Sequence, residues 1–380
     1  MEPGLSVDRE PEVKIYRYKN NIFGAKKGNT YNANLDIADL NGSLQLKTFA
    51  DIQQTRKSIQ CSGTLSNLSP YQLNLTKSQE GISYSANLNV DMDFVDLEHL
   101  TGNICITDAT IFSEQNGPTV IDSIQISSRC NEEDQQIISI SSPFIIANAI
   151  GRFKWKDLAP AFLNITHQAL PSIFPEPQHK VSSENDITFA IAAKDTTLLS
   201  SMTGKEIKIP ETAVIQGEMN NTTQRIILNA NIPQLNYANN DLRHTELHLE
   251  SYKNIIQTSL KTERIMKGRA TELILNSYAN QDKLITRLDW DNHKSPSMNG
   301  SINLIGYFHR DLSGHQAIEG VINKSNIIIN DTTWTLLPAH VNFHDNVIDV
   351  ENIKLECENR HIAVSGRISK ESTDTLTADL

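Results

Sequence analysis

From Ile82 to Phe94 every second residue is apolar: Ile82, Tyr84, Ala86, Leu88, Val90, Met92 and Phe94. The residues between them, Ser83, Ser85, Asn87, Asn89, Asp91 and Asp93, are all polar. A helix scatters such a set around its circumference, whereas a strand puts each set on its own face. The segment therefore reads as one long strand with a greasy face and a wet face, well beyond the usual length of about 5–6 residues.

The same alternation recurs along the chain. It is found at Leu44/Leu46, Tyr71/Leu73/Leu75, Ile104/Ile106, Ile124/Ile126 and Ile138/Ile140. It continues at Ile187/Phe189/Ile191, Ile226/Leu228/Ala230/Ile232, Leu247/Leu249, Leu273/Leu275, Ile302/Leu304, Ile353/Leu355 and Ile362/Val364. Turn-forming residues such as Glu114–Gly117 and Asn239–Asp241 fall between the runs. Runs of this kind separated by turn clusters predict consecutive antiparallel hairpins. The expected class is mainly β: a long curled antiparallel sheet forming a U-shaped hydrophobic groove.

Six glycines sit in an apolar-x-Gly-x-apolar frame: Gly42, Gly63, Gly102, Gly217, Gly300 and Gly366. Strand parity puts each glycine on the face of its apolar neighbours. A missing side chain there lets the sheet bend inward or a facing group come close. Ordinary bulge glycines are the alternative. The irregular spacing of the six disfavours a β-helix with fixed rungs.

Trp155–Phe174 breaks the alternation. Leu158, Phe162, Ile165, Ala169 and Leu170 follow helical spacing, with Asp157 as an expected N-cap, Pro160 in the first turn and Pro171 as a stop. The helix is expected to cover one end of a sheet section. The organisation that follows is a β-groove section over 1–154, a helical insert and loop over 155–178, and a second β-groove section over 179–380.

Composition suits a chain that buries only one face. Apolar residues make up 38% and aromatic residues 6%, against about 45–50% apolar for globular chains. The net charge of −11 and the absence of a basic cluster argue against a nucleic-acid partner. The four cysteines, Cys61, Cys105, Cys130 and Cys357, form no CxxC pair and read as small strand residues. No apolar run is long enough to span a bilayer as a helix, and the start of the sequence is polar rather than a signal peptide.

Catalytic chemistry is not expected, and no cofactor or metal. His244/His248 and His340/His344 have i, i+4 spacing, but in a strand this separates them by about 13 Å. Asp91 and Asp93 belong to the wet face of their strand. Glu132–Asp134 reads as a charged hairpin loop. No nucleophile elbow, phosphate loop or zinc-protease motif is present.

Short Asp-Ser/Thr-x segments at Asp122–Ile124, Asp195–Thr197, Asp331–Thr333 and Asp374–Leu376 resemble the O-glycosylation acceptor of Bacteroidetes envelope proteins. Larger segments resemble the TamB family, the inner-membrane component of the translocation and assembly module, in its Bacteroidetes branch. Leu100–Phe112 (LTGNICITDATIF) resembles the family's strand unit, and Phe144–Phe174 its strand pair followed by an amphipathic helix. Ile322–Leu380 is similar to the family's C-terminal unit, with Asn330, Asp331, Trp334, Gly366, Asp374 and Leu376 on its distinctive positions. The likeness covers most of the chain and is only generic in its first part.

The resemblance implies a periplasm-bridging β-groove, part of an inner-membrane-anchored protein whose anchor lies outside this chain, which would be a middle portion. It implies a TamA/BamA-type outer-membrane barrel as partner, phospholipid as cargo and nascent outer-membrane proteins as clients. The expected groove lining is Ile82, Tyr84, Leu88, Val90, Met92, Ile104, Ile187, Phe189, Leu228, Leu304, Ile362 and Val364. A scaffold that pairs with outer-membrane protein strands without carrying lipid is the alternative. A membrane barrel would need aromatic girdles that Trp155, Trp290 and Trp334 do not supply.

Overall fold

In the computed structural model, residues 19–379 are described, apart from 96–98, 116, 179–180, 182, 195, 197–199, 201–206, 238–239, 311–313, 345–346 and 370–373. Asp195 and Thr197 of the second Asp-Ser/Thr-x segment lie outside the described residues. Strands account for 70% of the chain, and every ladder with a described register is antiparallel. The chain divides into two compact units, residues 1–149 with 193–207 and residues 150–192 with 208–380.

The first unit contains a meander of β1 (Lys19–Lys27), β2 (Thr30–Asp39), β3 (Gly42–Ile52), β4 (Lys57–Leu68), β5 (Ile82–Phe94), β6 (Leu100–Ser113), β7 (Gly117–Cys130) and β8 (Gln136–Ser141). Each strand pairs with its neighbour in sequence. Tyr71, Leu73 and Leu75, expected on a strand, instead lie in a turn-rich segment. Pro70 has no amide to give a ladder, and the amides of Leu73 and Leu75 donate back to the carbonyls of Ser69 and Pro70. Leu75 is left 72% exposed.

β9 (Ile145–Arg152), α1 (Trp155–Ala169), β10 (Asp186–Ala193) and β11 (Ile207–Lys208) follow. The second unit continues through β12 (Ala213–Asn220), β13 (Arg225–Tyr237), β14 (Asn240–Tyr252), β15 (Ile255–Met266), β16 (Arg269–Asn280), β17 (Lys283–Asp291) and β18 (Met298–Arg310). Then come β19 (Gln316–Ile322), β20 (Ser325–Ile329), β21 (Thr332–Leu336), β22 (Ala339–His344), β23 (Val347–Cys357), β24 (Arg360–Ile368) and β25 (Leu376–Asp379). β19 and β20 both pair with β18, so they are one long strand with a slip at Asn323–Lys324. β21 and β22 both pair with β23 and are one strand broken at Leu337–Pro338, where proline cannot donate.

Four bulges punctuate these ladders, at Asn67, Asp108, His244 and Asn352. Each of these residues is left-handed, with φ between 48° and 51°, a region Asn, Asp and His enter more readily than most residues. An extra residue reverses strand parity, and the sequence compensates. The apolar residues step by three across the bulge, from Leu65 to Leu68, from Ile106 to Ala109 and from Val350 to Ile353. The greasy face is thereby kept on one side.

The N-cap of α1 is Lys154, not Asp157. Asp157 is buried in the first turn and accepts a hydrogen bond from Ser183 Oγ at 2.6 Å. Pro160 therefore falls in the second turn rather than the first. The helix ends at Ala169, just before Pro171, as its sequence predicts.

Candidate functional site

In the first unit the register lines the apolar residues of neighbouring strands into transverse rows. Leu35, Leu46, Gly63, Leu88, Ile106 and Ile124 form one row across β2 to β7. Thr48, Cys61, Val90, Ile104, Ile126 and Ile140 form the next. Met92 lies between Ile59 and Gly102 in a third. Tyr84 pairs with Ile111, and burial pushes its phenol pKa up. Ile82, at 9% exposure, belongs to a small core with Ala109, Ile111 and Ile121. Tyr84, Leu88, Val90, Met92 and Ile104 are half-buried, as on a sheet face without a second layer.

The second unit repeats the device. Ala230, Leu247, Leu260, Leu275, Leu288 and Ile302 form a continuous aliphatic row across β13 to β18. Leu228 and Leu304 belong to the adjacent row. Ile187 packs beside the α1 cluster. Ile362 and Val364 oppose Leu355 and Ile353. All twelve expected lining residues lie on strands, and all but Ile82 are half-buried.

α1 covers one rim of this face. Ala161 and Ile165, both fully buried, pack with Met219 and Ile226, while Ala169 and Leu170 pack with Ala279 near Ile256 and Leu284. Ser251, fully buried in the same row, has a hydroxyl without a described partner. Polar ties hold both ends of the helix. Asn185 Oδ1 accepts from the Lys154 amide at 2.9 Å, and the Asn185 amide donates to Asn221 Oδ1 at 2.8 Å. Just beyond the helix, the Ser172 amide and hydroxyl each donate to the Asp282 carboxylate at 2.8 Å.

The six framed glycines do two different jobs. Gly42, Gly102 and Gly366 have φ near +136°, and a Cβ on Gly102 would sit 2.0 Å from the Asp91 carbonyl oxygen. Gly217 and Gly300 instead make room for rings. A Cβ there would come within 2.5 Å of Phe189 and 2.6 Å of Trp290 respectively. Gly63 lies under the Gln45 carbonyl and the Leu46 side chain.

The opposite face is polar. Arg56 pairs with Asp93 at 2.6 Å, Lys261 with Glu272 at 2.7 Å and Arg367 with Asp349 at 2.6 Å. Arg367, and after it His344, holds the Asp349 carboxyl below its ordinary value, and Lys261 does the same to Glu272. This face also has open clefts, of 790 Å³ among Asn34, Gln45, Thr64, Asn87 and Thr107, and of 470 Å³ among Gln216, Asn229, Glu246 and His248. A twisted sheet is saddle-shaped, so each face is hollow along one diagonal.

The histidine pairs do not converge. His244 meets Glu263 at 3.3 Å, whereas His248 bonds Asn229 at 2.7 Å. His344 pairs with Asp349 at 2.9 Å. All four cysteines are free thiols. Among the described residues, no helix is long and apolar enough to cross a membrane, and no group of three or more His, Cys, Asp or Glu is arranged to hold a metal ion. Comparison with protein-family models, curated proteins and solved structures finds no match for this chain.

Proposed function

We propose that this chain is a groove section of a periplasmic lipid conduit of the translocation and assembly module type, non-catalytic, carrying phospholipid toward the outer membrane. The observation that carries the reading is the pair of half-exposed aliphatic rows, one set in each unit, running across the strands. A row of equivalent side chains offers a hydrocarbon tail near-equal neighbouring positions. Each methylene taken from water contributes about 0.8 kcal/mol, so a tail is held firmly by the row and by no single residue. The resemblance to the TamB family supports the same reading. It supplies the TamA/BamA-type barrel as partner and support of outer-membrane protein assembly as a second role.

The test is a photo-crosslinker at Leu88 or Val90, on the apolar face, against Asn87 or Asn89, on the polar one. Lipid labelling from the apolar pair alone is expected, and Leu88→Asp should abolish lipid passage while the chain still folds. Labelling from Asn87 and Asn89, which border the 790 Å³ polar-side cleft, would overturn the reading.

A chain purified without detergent and found free of lipid would instead favour a scaffold that pairs with outer-membrane protein strands.

A further inference from the structure

On the apolar face of the second unit, three hydroxyls stand in one row. Thr258 on β15 faces Ser277 on β16, which faces Thr286 on β17. Neighbouring strands are about 4.8 Å apart, so the three span about 10 Å. Leu249 and Leu228 continue the row on one side, and Leu304 on the other. One step along the strands lies the aliphatic row from Ala230 to Ile302. One step the other way lie Ser251, Ile256, Ala279 and Leu284, the row that α1 covers. The hydroxyls are thus a polar strip between a helix-covered rim and a greasy floor.

Several other hydroxyls on the apolar faces are used by the protein itself. Thr245 and Thr262, both buried, bond each other at 2.7 Å, Thr48 donates to Cys61 Sγ and Ser128 donates to the Leu100 carbonyl. Thr258, Ser277 and Thr286 have no hydrogen-bond partner among the described residues, and none of their oxygens is sealed from solvent. Pure hydrocarbon laid over them would strip three hydroxyls of water and return nothing, a cost of about 1–3 kcal/mol each. An occupant of this stretch is favoured if it brings uncharged acceptors alongside its hydrocarbon.

We infer that the Thr258, Ser277 and Thr286 row is a subsite for the ester carbonyls of an acyl lipid, with the tails lying on Leu247, Leu260, Leu275 and Leu288. Hydroxyls donate to a carbonyl without the charge that a phosphate or carboxylate demands. The inference rests on the lipid-groove reading and adds the linkage chemistry that the second unit selects.

The experiment loads the full chain from vesicles holding equal parts of a diester phosphatidylethanolamine and its diether analogue with matched tails. Bound lipid is then counted by native mass spectrometry. The ether lacks the carbonyls and is otherwise alike. The diester is expected to be enriched about threefold, the worth of one net hydrogen bond diluted by the first unit, which holds both lipids alike. In Thr258→Val/Ser277→Ala/Thr286→Val, near-isosteric and strand-compatible, the ratio should return to that of the vesicle with total lipid unchanged. Equal uptake of the two lipids by the native chain overturns the inference and leaves the groove reading standing. Enrichment that persists in the triple variant overturns it as well. A native chain that takes up neither lipid overturns the groove reading, and the inference falls with it.

Discussion

The two units build an apolar face from the same alternation but finish it differently. In the first unit the rows through Leu88 and Val90 carry aliphatic side chains with no helix laid along them among the described residues, and the buried cluster is the small one around Ile82, Ile111 and Ile121. In the second unit a helix is fixed along one rim, burying Ala161, Ile165 and Ala169 completely, and hydroxyls interrupt the floor beside it. Alternation alone therefore fixes which side is greasy. The residues inserted into it decide what that side can hold.

The comparison can be broken most forcefully at a glycine. Gly102→Val puts a side chain on a backbone conformation reserved for glycine, against the Asp91 carbonyl, and should cost about 3 kcal/mol or more. Protection from hydrogen exchange should then be lost across β5 to β7 while β13 to β17 keep theirs. Loss in both units together would mean that they do not fold separately. Gly300→Ala meets only the Trp290 ring and the Ile327 methyl, which can yield, and should cost about 1–2 kcal/mol.

Truncations sharpen the difference between a covered and an open face. Ile165→Ala removes a fully buried side chain beneath α1 and should lower stability by about 2–4 kcal/mol. Leu88→Ala, from the half-exposed floor of the first unit, should cost only about 1 kcal/mol. Equal shifts in urea midpoint would contradict the open face. Ser251→Ala should go the other way, stabilising by about 1 kcal/mol, because it deletes a fully buried hydroxyl that has no described partner. A loss of stability there would reveal a partner for that hydroxyl.

The smallest effect is acid sensitivity. Asp241, Glu272, Asp289, Asp349 and Glu356, all in the second unit, have folded-state carboxyls held below their ordinary values by Arg243, Lys261, Arg287, Arg367 and Lys354 in turn. A depressed folded value contributes stability above the unfolded value and loses it as pH falls through the folded one. Exchange from β14 to β24 should therefore quicken as pH drops below the ordinary carboxylate range, only slightly because these pairs are exposed, and less so in high salt. Equal quickening in β2 to β7 would show that these pairs are not the cause.

Most strands were legible because parity is a strong signal wherever one face is wet: Ile82 to Phe94 leaves no other solution. The failures lie where parity slips. Tyr71, Leu73 and Leu75 alternate by chance within a turn opened by Ser69 and Pro70. Three of the four bulges carry a signal that parity alone passes over, a three-residue apolar step with Asn or Asp inside it, as from Leu65 through Asn67 to Leu68, whereas at His244 the step ends on Thr245. Asp157 resembled a cap because its partner, Ser183, is 26 residues away. The hydroxyl row was invisible to a reading along the chain. Thr258, Ser277 and Thr286 are spread over three strands, and only the register brings them side by side.

From β12 to β18 each strand pairs with its neighbours in the chain, and from Leu247 to Tyr252, on one side of the His244 bulge, β14 stays in phase with β15 and, through it, with β16 and β17. Excising β15 and β16 together would leave β14 and β17 antiparallel, with Leu247 free to meet Leu288. This stretch of the second unit is thus modular in hairpins: a pair of strands can be added or dropped there while the facing rows still meet.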